Sequence, residues 1–261
     1  MKDFKNQVAV VTGASSGIGE SIVRILAKNR ARVVLAARRQ ERLSTIVEDL
    51  RANNTEVIAV PTDVRDRAQA GSLIDAAVTQ FGKLDMLICC AGIYYRRPTY
   101  ELTLEEVQNL MEVNFYGVLN CVFSALPKLQ KQGRGHIAVI SSVEGRKGLP
   151  PDGAYIASKF AISGFCDVMR QELKELGIGV TIVFPGRVDT DMVKNISVPG
   201  VSPKIPPERV ARATIHVIHR NRARVVVPWL GPSLLLLLDF FSARFGDAMV
   251  RKMGLSGSMK E

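Results

Sequence analysis

Short apolar runs alternate along this chain with longer stretches whose apolar residues recur every three or four positions. Val8–Val11 enters a glycine-rich turn, after which Ile18, Ile22, Ile25 and Leu26 mark the buried stripe of a helix. Arg32–Ala37 predicts a second strand, residues 41–53 a polar helix, and Val57–Val60 a third strand. Further strands are predicted at 86–89, 136–141, 180–184 and 224–227, with helices near 67–81, 103–130, 154–176 and 207–220. Strand–helix alternation of this kind implies an α/β fold with a parallel sheet and right-handed crossovers. The strands are apolar nearly throughout, so both faces of the sheet are predicted to be covered by helices.

Composition fits one folded unit. Of 261 residues 47% are hydrophobic and 23% charged, and no Pro/Ser-rich linker divides them, so residues 1–261 are read as a single domain. The least regular stretch runs from Asp191 to Pro207, with prolines at 199, 203, 206 and 207; its place just after a strand end predicts a substrate lid. The net charge of +10 is uneven, because residues 201–261 carry ten basic and four acidic side chains. Within the C-terminal extension, 229–261, the run Gly231–Phe241 is far below the roughly 20 apolar residues needed to span a bilayer. Three readings of it stand: a cap over a cleft, a subunit contact, or an interfacial membrane helix aided by Arg244, Arg251 and Lys252. Cys89, Cys90, Cys121 and Cys166 have no metal-ligand spacing and are read as reduced thiols; His216 and His219 are read as surface residues, and no metal site is expected. The N-terminus lacks the apolar region of a secretory signal, which points to the cytoplasm. Nucleic-acid binding is not expected, since no platform of interleaved aromatic and basic residues is present.

The turn Thr12-Gly13-Ala14-Ser15-Ser16-Gly17-Ile18-Gly19 joins the first strand to the first helix. Glycines at 13, 17 and 19 permit a tight turn, close backbone approach to a pyrophosphate, and packing of a helix whose amino end favours the anion. A dinucleotide site that prefers NAD carries an acid at the end of the second strand; here that end reads Ala37-Arg38-Arg39. A guanidinium pairs with a 2′-phosphate through charge-assisted bonds, so NADP(H) preference is predicted, against the alternative that both arginines only begin a solvated helix. Thr62-Asp63-Val64 closes the third strand where an adenine edge would lie.

Tyr155 and Lys159 lie one helical turn apart, with Ser142 thirteen residues before the tyrosine. With the glycine turn, Asp63, Ala91-Gly92, Asn114, Pro185-Gly186 and Thr190, these motifs resemble the short-chain dehydrogenase/reductase family over essentially the whole chain. The resemblance implies a single-domain, Rossmann-type, doubly wound parallel sheet of about seven strands with helices on both faces. It implies a nicotinamide cofactor held by Gly13, Ser15, Ser16, Gly17, Ile18, Gly19, Arg38, Arg39, Asp63, Val64, Ala91, Gly92, Tyr155, Lys159, Pro185, Gly186, Val188 and Thr190. It also implies the catalytic set Asn114, Ser142, Tyr155 and Lys159, with Asn114 holding a water that relays a proton, and a homodimer or homotetramer built on the long helices near 103–130 and 154–176. One departure stands out. Where the family has Asn-Ala-Gly, this chain has Cys90-Ala91-Gly92, which puts the local hydrogen bonding in question.

The chemistry follows from the residue types. A phenol has a reference pKa of about 10, and a neighbouring ammonium such as Lys159 stabilises phenolate, so Tyr155 is expected nearer the pH at which acid–base catalysis works. A serine can hydrogen-bond the substrate oxygen as charge develops; Ser141 and Ser142 are equal by composition, and the family spacing favours Ser142. Substrate-facing candidates are Tyr94, Tyr95, Val143, Glu144, Val188 and Met192. Their mixed but mainly apolar character predicts a hydrophobic ketone or alcohol, such as a steroid, lipid-like or 3-oxoacyl compound. Arg96 and Arg97 are read as solvated, with attraction of an anionic group as the alternative. The leading reading is an NADP-dependent reductase or dehydrogenase. The other is a catalytically weak nucleotide-binding protein acting through its basic tail.

Overall fold

The computed structural model describes residues 4–197, 203–228, 243–253 and 258–259. Strands β1 (Val8–Thr12), β2 (Arg32–Ala37), β3 (Val57–Pro61), β4 (Met86–Cys89), β5 (Gly135–Ile140), β6 (Ile178–Pro185) and β8 (Arg224–Val227) form one sheet in the order β3-β2-β1-β4-β5-β6-β8. Every neighbouring pair is parallel. The order reverses between β1 and β4, which opens a crevice at the carboxyl ends of the strands, where such sheets bind ligands.

Successive strand residues point to opposite faces, and each face has its own core. Ala9, Val11, Val33, Leu35, Ile88 and Val183 pack with α1 (Gly17–Lys28), α2 (Gln40–Ala52) and α7 (Pro207–His219). Val8, Val10, Val34, Leu87, Val139 and Phe184 pack with α3 (Arg67–Phe81), α5 (Gly117–Gln132) and α6 (Gly153–Lys174). Burial of each large side chain stabilises by about 1.5–3 kcal/mol, which is why the strands carry no polar side of their own. Asp66 caps α3 by accepting from the N–H groups of Ala68 and Gln69, and a Thr103/Glu106 capping box starts α4 (Leu104–Met111).

The long helix predicted near 103–130 is interrupted. Between α4 and α5 lies a π turn, Glu112–Tyr116, closed by a bond from the Gly117 N–H to the Glu112 carbonyl. A Cβ on Gly117 would stand 2.6 Å from Val64, so the helix is pressed onto the end of β3 there. A π turn inserts one residue and rotates the helix beyond it, a device common at functional sites; here it contains Asn114.

The stretch predicted as an irregular lid is more ordered in its described parts. Asp191–Val193 is a 3₁₀ turn, β7 (Ile196–Ser197) pairs antiparallel with β9 (Ser258–Met259), and Ile205 bridges Val188 and is buried. Lys204 Nζ donates to the carbonyls of Val193 and Lys194, at 2.6 and 3.2 Å. The apolar run Gly231–Phe241 lies outside the described residues. Helix α8 (Ala243–Lys252) is described: Val250 packs with Leu149, Ile156 and Met253, and Lys147 pairs with Asp247 at 2.7 Å. No helix among the described residues is long and apolar enough to cross a membrane, and all four cysteines are free thiols.

Candidate active site

The glycine turn is fixed by close approach. Gly13 (φ +66°) has no room for a side chain, since a Cβ would lie 2.8 Å from the backbone of Cys90 and Ala91. A Cβ on Gly19 would be 2.2 Å from the Gly13 carbonyl oxygen, so only glycine lets α1 sit this near the turn. Ser16, the N-cap of α1, gives the first turn no side-chain bond, leaving its N–H groups for an anion. Thr190 presses its methyl against Gly17, where a Cβ would come within 2.9 Å, so the segment after β6 closes over the turn beyond Pro185 and Gly186. These residues fit a dinucleotide pyrophosphate.

Arg39 lies across the same turn, donating from one guanidinium nitrogen to Ser15 Oγ and Ser16 Oγ, both at 3.0 Å. Arg38 is exposed and near Asp63. Asp63 is held by Arg65 at 2.6 Å, and chiefly by that bond its carboxyl sits below the usual range. Val64 is buried against the π turn, with its carbonyl bonded by Asn120.

Where the family has asparagine before Ala91-Gly92, the backbone is fixed from the first strand. Thr12 Oγ1, at the end of β1, accepts from the N–H groups of both Cys90 and Ala91 at 3.1 Å. Burial pushes the Cys90 thiol up to about 12, so it stays neutral beside Lys159.

Tyr155 and Lys159 project from the first turns of α6. Lys159 is buried, donates to the Ile140 carbonyl at 3.1 Å, and has Nζ 5.6 Å from the Tyr155 ring centre. Burial lowers its pKa to about 8. The Tyr155 phenol shifts upward rather than down: burial is the largest cause and the Glu144 carboxylate adds to it, while a hydrogen bond with Ser142 opposes them. Desolvation disfavours the phenolate and dominates the shift.

The two serines are separated by their partners. Ser141 Oγ is buried and shared with Ser163 Oγ at 2.9 Å, whereas Ser142 Oγ meets the Tyr155 phenol and accepts from the Glu144 N–H at 3.2 Å. Asn114 is fully buried; its Oδ1 accepts from the Ile93 N–H at 2.9 Å and its Nδ2 donates to the Ile93 carbonyl and to Ser158 Oγ. Ser158, a residue not foreseen, donates to the Tyr155 carbonyl at 2.7 Å and so ties Asn114 to α6. A Cβ on Gly92 would stand 3.2 Å from Asn114 Oδ1 and 3.8 Å from Lys159 Nζ, so the glycine keeps the gap between those groups open.

An ionic group lies among and beside the residues expected to face a substrate. Arg96 is not solvated: its side chain is 6% exposed and pairs with Asp152, itself 4% exposed, at 3.1 Å. Tyr94 donates to the same Asp152 oxygen at 3.0 Å and sets its ring edge-on to Tyr155, 4.8 Å between centres. Glu144 and Arg187 complete the group, and burial depresses the Arg187 guanidinium while raising the Asp152 and Glu144 carboxyls, the last to about 8. Val143 packs on the sheet core. Met192 is 45% exposed, and Arg97 pairs with Glu106 at the surface. The Tyr95 hydroxyl donates to the Glu106 carbonyl.

A parallel sheet with a reversal of strand order, a glycine turn at its crevice and a Ser–Tyr–Lys group beside it define a nucleotide-dependent oxidoreductase. The model of the short chain dehydrogenase family matches residues 7–199, and the chain belongs to that family. It is 37% identical over 226 residues to the glycine betaine reductase ATRR of Emericella nidulans, covering 83% of this chain but 18% of that much longer protein. An uncharacterized oxidoreductase of Listeria monocytogenes is 37% identical over 196 residues, 74% of this chain and 79% of its own. Among solved structures, a short-chain dehydrogenase/reductase of Burkholderia phymatum in complex with NAD is similar with a TM-score of 0.84 and 28% identity, covering 94% and 96% of the two chains. An actinorhodin polyketide ketoreductase variant with NADPH gives 0.80 and 30%, covering 87% and 97%.

Proposed function

We propose that this oxidoreductase uses NADP(H) to interconvert a ketone and a secondary alcohol, with a largely hydrophobic substrate of the steroid, lipid-like or 3-oxoacyl kind. The observation that carries the reading is the Tyr155 phenol, hydrogen-bonded by Ser142 with Lys159 a turn below, at the mouth of the crevice that the glycine turn opens. A nicotinamide cofactor, its pyrophosphate held at the Gly13–Gly19 turn, would supply or accept the hydride and, when oxidised, would add a positive charge. Ser142 directs its hydroxyl to the substrate oxygen where negative charge develops. Tyr155, protonated near neutral pH, gives its proton to that oxygen. Lys159 then stabilises the phenolate left behind. Asn114 retains one acceptor lone pair on Oδ1 for a water in the gap beside Gly92, through which the proton is restored by way of Lys159.

NADP(H) over NAD(H) is supported by Arg39 on Ser15 and Ser16, by the exposed Arg38, and by the absence of a carboxylate at the end of β2. A homodimer or homotetramer is supported by the exposed Tyr116, Phe123, Phe160 and Val168 on the π turn, α5 and α6. The docking of α8 on Leu149 and Ile156 favours the extension as a cap beside the cleft over a membrane contact. The test is NADPH consumption with a panel of ketones, bulky apolar ones included. Oxidation that vanishes in Tyr155→Phe supports the enzyme, and tight NADPH binding with no turnover of any ketone supports a binding protein instead.

A further inference from the structure

Asp152 stands immediately before α6, where an aspartate ordinarily accepts from the first free N–H groups of the helix. It makes no such bond. Its Oδ1 accepts instead from the Tyr94 hydroxyl at 3.0 Å and from Arg96 Nε at 3.1 Å. A carboxylate in the place of a helix cap thus holds an aromatic ring. Three residues further on, Tyr155 meets that ring edge-on, with 4.8 Å between centres and 85° between planes. Tyr94 is fastened to the first turn of α6 twice, by its hydroxyl and by its ring.

Tyr94 is held from its own side as well. Ile93, directly before it, has both its N–H and its carbonyl taken by the Asn114 side chain, at 2.9 and 3.0 Å. The neighbouring Tyr95 turns to the other helix, where its hydroxyl donates to the Glu106 carbonyl. Tyr155 therefore has a fixed neighbour, and it needs one. The ring torsion of a tyrosine is broad, and Ser142 bonds only the hydroxyl end of this phenol. An edge-on partner favours one orientation, because the positive edge of one ring is drawn to the negative face of the other. The Tyr94 hydroxyl is committed to Asp152 and burial shifts that phenol upward, so it is not a second proton source.

Resting on the reductase reading above, the geometry points to Tyr94 as a positioning residue: held by Asp152, its ring fixes the Tyr155 ring so that the phenol faces both Ser142 and the substrate oxygen. It acts on proton delivery, whatever the size of the ketone, and leaves cofactor binding alone.

The experiment measures kcat and KM for cyclohexanone and acetophenone with NADPH in the wild type, Tyr94→Phe and Tyr94→Leu, and again with Tyr94→Leu placed in the Tyr155→Phe background. In Tyr94→Leu kcat is expected to fall about tenfold or more, by a similar factor for both ketones, with KM for NADPH unchanged. Tyr94→Phe keeps the ring without its tie to Asp152 and should fall in between. With Tyr155→Phe already made, Tyr94→Leu should remove little more, since no phenol is left to place. A Tyr94→Leu enzyme with wild-type kcat overturns the proposal. So does a loss confined to KM for the bulkier ketone, which would make Tyr94 a substrate contact, and so does an equal loss in the Tyr155→Phe background, which would make its role structural. Each of these leaves the reductase standing, whereas a wild type that consumes NADPH with neither these nor the bulky apolar ketones of the panel removes that reading itself. Should Tyr94→Leu not fold, Tyr94→Phe decides: a lower kcat at unchanged KM for NADPH supports the proposal, and an unchanged kcat overturns it.

Discussion

At the β1 end of the cleft geometry is held by backbone, and at the β5–β6 end it is held by side chains. Around Gly13 and Gly19 the fit comes from atoms that are missing, since any Cβ would strike a main-chain atom within 2.8 Å. Around Asp152 the fit comes from charges that match, with Arg96, Tyr94, Glu144 and Arg187 arriving on three different loops. The first kind of site tolerates few residues and serves one ligand shape. The second can be rewired by changing a few side chains on an unchanged scaffold, which suits the part of an enzyme that chooses its substrate.

The sharpest break between the two is chemical. Tyr155→Phe should lower turnover roughly 100- to 10,000-fold while leaving NADPH affinity nearly intact, because the phenol belongs to the side-chain half; steady-state rates and a fluorescence titration read both quantities, and a parallel loss of affinity would merge the two halves. Next in size, Asp152→Ala removes the buried carboxylate that both Arg96 and Tyr94 bond and should cost about 3–5 kcal/mol in urea unfolding. An effect under 1 kcal/mol would mean the pair is effectively at the surface. Gly19→Ala is the matching test of the backbone half, where the clash with the Gly13 carbonyl should cost about 1–3 kcal/mol and weaken NADPH binding. Replacing Arg38 and Arg39 together by alanine should cut the preference for NADPH over NADH about tenfold or more, with NADH affinity little changed; equal losses for both cofactors would refute the 2′-phosphate assignment.

The smallest effect is a slope. Burial and the neighbouring Asp152 carboxylate raise the Glu144 carboxyl from 4.5 to about 8. It therefore binds its proton more tightly folded than unfolded, supports the fold fully below about 4.5, and withdraws that support as pH rises through about 8. The stability of the wild type relative to Glu144→Gln should fall between about pH 5 and pH 8 in urea titrations, and parallel curves would place Glu144 in free contact with water.

The backbone half was legible in the sequence for a physical reason. Apolar runs such as Val8–Val11 and glycines at fixed offsets are local signals, and each strand lies where its run predicts. The nearness of Ser142, Tyr155 and Lys159 was legible as well, because a strand end and one helical turn fix their spacing. What escaped was pairing across long sequence distance. Nothing near Arg96 announces Asp152, Thr12 does not show that it will hold Cys90, and the π turn around Asn114 leaves no mark in an otherwise helical pattern. The burial that raises the Tyr155 phenol is hidden from the sequence for the same reason, since it depends on neighbours far along the chain.

The Arg96–Asp152 pair also has an evolutionary meaning. A lineage that loses one partner breaks an ion pair in a nearly closed site, and at about 3–5 kcal/mol that intermediate forfeits much of a typical protein's margin. The two positions are therefore expected to change together among descendants of this gene, so that divergence in substrate choice proceeds by paired replacements rather than single steps.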